Sequence, residues 1–467
     1  MVFFVVAAFL FGGASQLNQL RLMVVELAAL PVLVLAAGHY TDSAIFKRHG
    51  FLLGLLAATL ALPLIQSAPL PPGLWSGLPG REPMVQALTV SGTPQGWTAL
   101  SMTPELTWRA FLALIPPTAI LLFTLGADGR RRDGLVTLLV LGALASLGLG
   151  FVQMIEGSGR LYLWSHEGMR TMAGFFSNRN HLATLCLVAL PFAATLITTA
   201  VRRGEPFQRP RFWLGVVFVP LGLIGLAAIQ SRAGIALALP VLAATLLGAW
   251  IADGRRRPNR TVTILAAVIG LLVVVIAVIA APPIIARFSE AGSYDARLLA
   301  WGVVSEAART YLPLGSGIGS FDAIYRSVEP LATLDPLYFN HAHNEFLEMW
   351  LETGWPGAAL LIAFLVWFGR RSVQAWRAPA NDSRDLQRAA SIAVLAMVLH
   401  SGVDYPLRTE TMAVLFALCC ALLEFAGQNV AADENPGRKR RRIRVRTGRT
   451  RRPVSLEDRP RPARLGT

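Results

Sequence analysis

Between Tyr311 and Gly357 runs YLPLGSGIGSFDAIYRSVEPLATLDPLYFNHAHNEFLEMWLETGWPG, the longest block of the chain without a long apolar run. Two histidines, three spaced glutamates, several aromatics and a glycine loop crowd into it. His343 is the candidate general base, since histidine is the side chain whose unperturbed pKa lies near neutrality. His341-Ala342-His343 is a conceivable metal pair, but no third ligand stands at suitable spacing, so neither metal nor cofactor is expected. GSGIGS at 315–320 superficially resembles a dinucleotide fingerprint; without a preceding strand and a βαβ unit that reading fails. Two readings of Gly315, Gly317 and Gly319 stay open: a backbone nest approaching a phosphate or sugar, and plain loop flexibility.

Four charged residues far apart in sequence belong beside this block: Arg179 in FFSNRNHLA, Arg232 in QSRAG, Arg297, and Asp404 in HSGVDYPL. Several sit at the ends of apolar stretches, where a charge is costly unless it snorkels, pairs or lines a wet cavity. The planar fork of arginine suits phosphate oxygens, and two or more forks suit a diphosphate. Each also has a plainer reading. Arg232 could snorkel at a hairpin tip, Arg297 could occupy the wet side of an amphipathic helix, and Asp404 could pair with nearby Arg408.

The elements that must position these residues are membrane helices. The 467 residues are 54% hydrophobic and only 15% charged, with a mean hydropathy of +0.51, whereas soluble domains carry roughly 25% charged residues. Apolar runs of about 20 residues, the length that crosses a hydrocarbon core, recur along the chain. The expected fold is an all-α polytopic membrane protein of about twelve transmembrane helices. The stretches lie near 1–14, 22–39, 50–67, 109–126, 134–153, 181–201, 212–230, 233–252, 261–281, 353–369, 388–403 and 409–427. The first lacks a positive flank and a small-residue cleavage site, and is expected to span. Residues 1–430 then form one integral membrane domain, with a large loop, 282–352, containing short helices between the ninth and tenth spans.

Charge sets the expected orientation. Lys47-Arg48, Arg130 to Arg132, Arg202-Arg203, Arg255 to Arg257 and Arg370-Arg371 fall in alternate connections, which puts both termini in the cytoplasm. Arg179, Arg232, Arg297, His343 and Asp404 then all fall on the other face, periplasmic in a bacterium with two membranes. From Asp433 onward the tail has thirteen Lys or Arg against four Asp or Glu, lacks apolar periodicity, and is expected to be disordered. Its expected partner is anionic lipid; no folded reader or aromatic platform accompanies it to suggest nucleic acid. Cys186, Cys419 and Cys420 sit within apolar stretches and have no spacing for zinc or haem.

Local signals fill in the loops. Thr103 is expected to cap a helix opened by Pro104, and Ser293 or Asp295 to cap an amphipathic helix whose apolar face carries Leu298, Trp301 and Val304. HNEFLEMWLE reads as a helix turn or two, stopped or kinked at Gly354-Trp355-Pro356-Gly357.

His343-Asn344, nine residues, then Gly354 and Gly357 resembles the H-[NSQ]-x9-G-x-x-G signature of the O-antigen ligase and polymerase superfamily. PLGSGIGSF at 313–321, Arg297 with Trp301, SRAG at 231–234 and VDYPL at 403–407 are similar to that family too, so the likeness covers about 170–410. The resemblance implies a metal-independent, inverting glycosyltransferase of the bacterial inner membrane, its active site periplasmic. The donor would be a glycan on undecaprenyl diphosphate. Arg179, Arg232 and Arg297 would hold the diphosphate, Arg179 being aligned by context alone. His343 would take a proton from the acceptor hydroxyl and Asp404 would orient or pair with one of these groups. The acceptor would be lipid A core, a second lipid-linked glycan or a protein hydroxyl. The rival from another class is a twelve-span transporter; polar residues gathered at one face and the absence of an evident repeat speak against it. A scaffold without activity leaves the histidine and arginine set unexplained.

Overall fold

The computed structural model describes residues 1–14, 19–38, 40, 43–164, 171–204, 206–252, 270, 292–331 and 339–425. These form α1 (Val2–Phe11), α2 (Gln19–Ala37), α3 (Ser43–Ser67), α4 (Pro72–Trp75), α5 (Glu82–Val90), α6 (Pro104–Ala113), α7 (Ile115–Gly126), α8 (Gly129–Glu156), α9 (Arg179–Arg202), α10 (Pro210–Ile229) and α11 (Arg232–Ala252). They continue with α12 (Gly292–Thr310), α13 (Phe321–Val328), α14 (Glu345–Arg377), α15 (Asp382–Ser401) and α16 (Glu410–Glu424). One antiparallel strand pair, Pro69–Leu70 with Thr98–Ala99, ties off the connection after α3. Eight helical stretches among the described residues are long and apolar enough to cross a membrane, so the chain is an all-α polytopic membrane protein. α1 is apolar but only 10 residues long, and α1, α15 and α16 share one core with the long helices. Of the twelve expected stretches, 261–281 lies, but for residue 270, outside the described residues. So do the basic connection at 255–257, the start of the loop at 282–291, and the tail.

Successive helices run in alternate directions, as their end contacts record. At one end, Gln66 near the close of α3 accepts the Ile318 N–H (2.9 Å), Gln153 near the close of α8 accepts the Gly174 N–H (2.8 Å), and α9 begins. At the other, Arg202 at the close of α9 donates to the Ala252 carbonyl at the close of α11 (3.2 Å) and pairs with Asp382 and Asp385 at the start of α15.

α9 is the axis of the bundle: its residues from His181 to Ala193 are buried without interruption. A helix that is apolar all round belongs in the middle. Between membrane helices the attraction comes from close packing, which small residues allow. A side chain at Gly215 of α10 would meet the Ala193 carbonyl oxygen at 2.6 Å.

A second, smaller core lies beneath the glycine loop, where α12, α13 and the first half of α14 meet around Val304, Phe321, Tyr325 and Leu351. Here two local expectations are corrected. α12 starts at Gly292, so Ser293 and Asp295 fall inside it, and its buried face is Ala300, Val304, Ala307 and Ala308, while Leu298 is 44% exposed. Thr103 holds the N-cap position of α6, but its side chain accepts no capping bond; Ser101 Oγ instead accepts the Thr103 N–H (3.1 Å).

HNEFLEMWLE is helical and runs on into the following apolar stretch across the expected kink. Gly354 has φ 54°, and a Cβ there would collide with the Pro313 carbonyl oxygen. The break lets the Trp355 N–H reach that same carbonyl (2.9 Å), which joins the helix to the glycine loop. Gly354→Ala is therefore expected to cost about 1–3 kcal/mol and to lower the thermal unfolding midpoint in detergent. Gly148→Ala, where nothing stands within 4 Å, should leave that midpoint in place.

Candidate active site

His343 owes its position to the residues on either side. After it, Asn344 caps α14, its side-chain oxygen accepting the Leu347 N–H (3.1 Å). Before it, the Glu348 carboxylate lies 2.8 Å from His341 Nδ1 and accepts the Ala342 N–H (2.9 Å), while Trp301 Nε1–H donates to the Ala342 carbonyl (2.7 Å). Held from both directions, His343 adopts φ 49°, a left-handed backbone that side-chain-bearing residues keep only where their surroundings impose it.

The His343 ring faces Asp404, with Nδ1 3.1 Å from Oδ1. An ionised carboxylate can only accept, so Nδ1 carries a proton, and in the neutral ring the lone pair is on Nε2. The His343 side chain is 16% exposed and that of Asp404 1%. Asp404 also accepts from Asn180 Nδ2 (2.5 Å) and from the Tyr405 N–H (3.0 Å). Burial alone would raise its pKa, but the bond from His343 and the charges of His343, His181 and His400 outweigh burial and hold it well below the usual carboxylate range. The Tyr405 ring lies among three imidazoles, with centroids at 4.4 Å from His341, 4.9 Å from His343 and 5.1 Å from His181. Burial, and then the Asp404 charge, push the Tyr405 hydroxyl above its ordinary pKa.

The three arginines arrive at the same end. Arg179 opens α9 directly beside Asn180. Arg232 opens α11 after a tight turn, in which Ser231 Oγ accepts the Gly234 N–H (3.2 Å). Gly234 packs against Ala183, one turn along α9 from Arg179. Arg297 Nη1 donates to the carbonyl of Val403, the neighbour of Asp404 (3.5 Å).

Asp404 does not pair with Arg408. That arginine reaches Glu352 (2.8 Å) and Glu348 (3.5 Å) instead, because α14 presents both carboxylates on the face that the 404–408 connection covers. The glycine loop is held by the same helix. Ser316 N–H and Gly317 N–H donate to the Leu351 and Glu352 carbonyls (both 2.9 Å), and Gly319 N–H to the Glu352 carboxylate (2.9 Å). These donors face the protein's own backbone and a buried carboxylate, not an open nest. Gly357 is the space into which the Thr353 hydroxyl folds.

Sequence reasoning saw the three glutamates but not their work. Glu345 accepts from Ser401 Oγ (2.8 Å) and the Leu407 N–H (2.6 Å), Glu348 fixes the 341–342 backbone, and Glu352 fixes the glycine loop. Their spacing, placing them on one face of a helix, was the available signal; Arg408 entered only as a partner for Asp404, and Tyr405 only within VDYPL. Among the described residues no three His, Cys, Asp or Glu side chains gather as a metal site.

Residues 216–362 match the family model described as O-antigen ligase. That stretch includes Arg232, Arg297, the glycine loop, His343, Gly354 and Gly357, and leaves Arg179 and Asp404 outside it. Comparison with curated proteins finds no match.

Two measurements check the geometry. Because the Asp404 pKa is depressed by folding, its contribution is fully present above the unfolded value of about 3.9 and is lost as pH falls through the folded value. Asp404→Asn should therefore be less stable than the native chain at pH 7, and the gap should narrow below about pH 4. Arg408→Gln leaves two buried carboxylates without their cation and is expected to cost about 3–5 kcal/mol, read as a lower unfolding midpoint.

Proposed function

We propose, from the premise that this chain belongs through residues 216–362 to the O-antigen ligase superfamily, that it is a glycosyltransferase of the bacterial inner membrane. It moves a glycan from undecaprenyl diphosphate to an acceptor hydroxyl at the periplasmic face. The observation that carries this reading is the His343–Asp404 hydrogen bond, at the end of the bundle where Arg179, Arg232 and Arg297 also lie.

The chemistry is a single displacement. Asp404 holds the His343 ring with Nδ1–H engaged, so Nε2 takes the proton of the acceptor hydroxyl. The freed oxygen attacks the anomeric carbon, the bond from that carbon to the diphosphate oxygen breaks, and configuration inverts. The departing diphosphate gathers negative charge, and the arginine forks stabilise it; one such fixed contact is commonly worth ~3 kcal/mol. His341 and His343 direct their Nδ1 atoms to different carboxylates, Glu348 and Asp404, which favours a proton-transfer role over a shared metal.

The periplasmic placement rests on charge. Arg202-Arg203, Arg209 and Arg211 lie at the helix ends opposite His343, as the excess of cytoplasmic Lys and Arg requires. Both termini are then cytoplasmic. Lipid A core, a second lipid-linked glycan and a protein hydroxyl are the acceptors the family offers. Reconstitution with a lipid-linked glycan and each acceptor in turn decides among them: a single-step shift on the core means ligation, a ladder means polymerisation, and a glycosylated polypeptide means protein transfer.

His343→Asn keeps a residue that tolerates a left-handed backbone and removes the base. It should insert and fold normally yet lose roughly 10²–10⁴-fold in transfer. Arg232→Ala should lose roughly 10²-fold, and Arg232→Lys should remain poor because a point charge does not replace the fork. Full activity in His343→Asn would sink the general-base assignment, and activity should survive EDTA.

A further inference from the structure

The end of the bundle remote from His343 holds a feature that glycan transfer does not use. A cavity of about 450 Å³ opens between α8, α9, α10 and α15. Its inner wall is apolar, with Val136, Leu196, Ala200 and Leu386. Arg203, Arg209 and Arg211 stand in its lining against two carboxylates, Asp133 and Asp382.

The charges are not balanced. Arg203 pairs with Asp382 (2.6 Å) and lies 3.7 Å from Asp133, and Arg211 lies 3.4 Å from Asp133. Arg209 donates only to the carbonyls of Gly204 (3.2 Å) and Arg203 (3.5 Å), so its charge meets no carboxylate among the described residues. Beside it, Phe207 and Trp213 are 59% and 48% exposed, and Trp213 Nε1–H donates to the Phe207 carbonyl (2.9 Å). Exposed Trp and Phe next to arginines at a helix start mark the level of lipid headgroups. The mouth of the cavity is therefore basic and lies at headgroup depth, while its interior is apolar and lies at the depth of acyl chains.

We infer that this cavity is a binding site for one anionic phospholipid of the leaflet at the basic end, with Arg209 and Arg211 on the phosphodiester and an acyl chain against Leu196 and Ala200. Basic pockets between membrane helices on the cytoplasmic side recognise such headgroups. The lining holds three arginines against two carboxylates, and Arg202 draws on Asp382 as well, so the mouth carries a positive excess that favours an anionic headgroup over a zwitterion. The inference stands on this cavity alone and does not depend on the transfer chemistry at the other end.

The test uses the full chain in nanodiscs of phosphatidylglycerol, of phosphatidylcholine, or of an equal mixture, followed by native mass spectrometry of lipid retained after release. From the mixture, one phosphatidylglycerol should stay bound, and inorganic phosphate at millimolar concentration should not displace it. Arg209→Gln and Arg211→Gln should each weaken retention about fivefold. Thr199→Phe, which fills the cavity without touching charge, should also reduce it. Glycan transfer should be unchanged in Arg209→Gln, which confirms its fold. Equal retention of the two lipids, displacement by phosphate, or undiminished retention in both Arg209→Gln and Thr199→Phe would overturn the assignment.

Discussion

The end of the bundle that holds His343 closes around one guanidinium. Arg408 lies against Glu348 and Glu352 on the inward face of α14. Burial would lower its pKa, but those two carboxylates carry it above the usual range. Ions removed from water each cost several kcal/mol, recovered only if every remaining lone pair finds a donor. Those donors come from the Ala342 and Gly319 N–H groups, so satisfying the buried charges is what pins the histidine segment and the glycine loop to the same helix. Remove the arginine and the two buried carboxylates lose their cationic partner. Remove a carboxylate and the backbone ahead of His343 loses its anchor.

This gives the spacing His343-Asn344-x9-Gly354-x-x-Gly357 a physical content. Asn344 starts the helix, which must then run far enough to present Glu348 and Glu352 one turn apart on the buried face. Ten residues at 1.5 Å each carry it about 15 Å before it breaks. The break falls at Gly354 because there the returning chain at Pro313 comes too close for any side chain. Cap, carboxylate pair and break are thus one device, and its output is an imidazole held in a backbone conformation it would not choose alone.

Much of this was legible in the sequence where the signal was local or set by length. Apolar runs marked the helices, Asn344 and Gly354 marked the start and kink of α14, and the alternation of basic connections placed Arg179, Arg232, His343 and Asp404 at one end. What escaped was decided by packing. Nothing local distinguishes Asp404 paired with Arg408, four residues on, from Asp404 paired with His343, sixty-one residues back. Both stayed open, and the buried Glu348 and Glu352 took Arg408. α12 was legible only in part: Val304 lies in the shared core as expected, but the rest of that face is Ala300, Ala307 and Ala308, while Leu298 is turned outward. The glycine loop has the composition of an anion nest, and an anion does occupy it, but the anion is Glu352.

The two ends of the bundle differ in how they treat charge. At the basic end, Arg202 and Arg203 are matched by Asp133, Asp382 and Asp385 within 4 Å, and the surplus sits at the surface near Arg209. At the other end four acidic groups are turned inward. Glu345, Glu348, Glu352 and Asp404 are all buried, and each is engaged by Arg408, an imidazole, a hydroxyl or a backbone N–H. α9, α11 and α14 all begin there, so three helix dipoles turn their positive ends the same way. Arginines and helix starts thus converge on the end that holds His343 and Asp404.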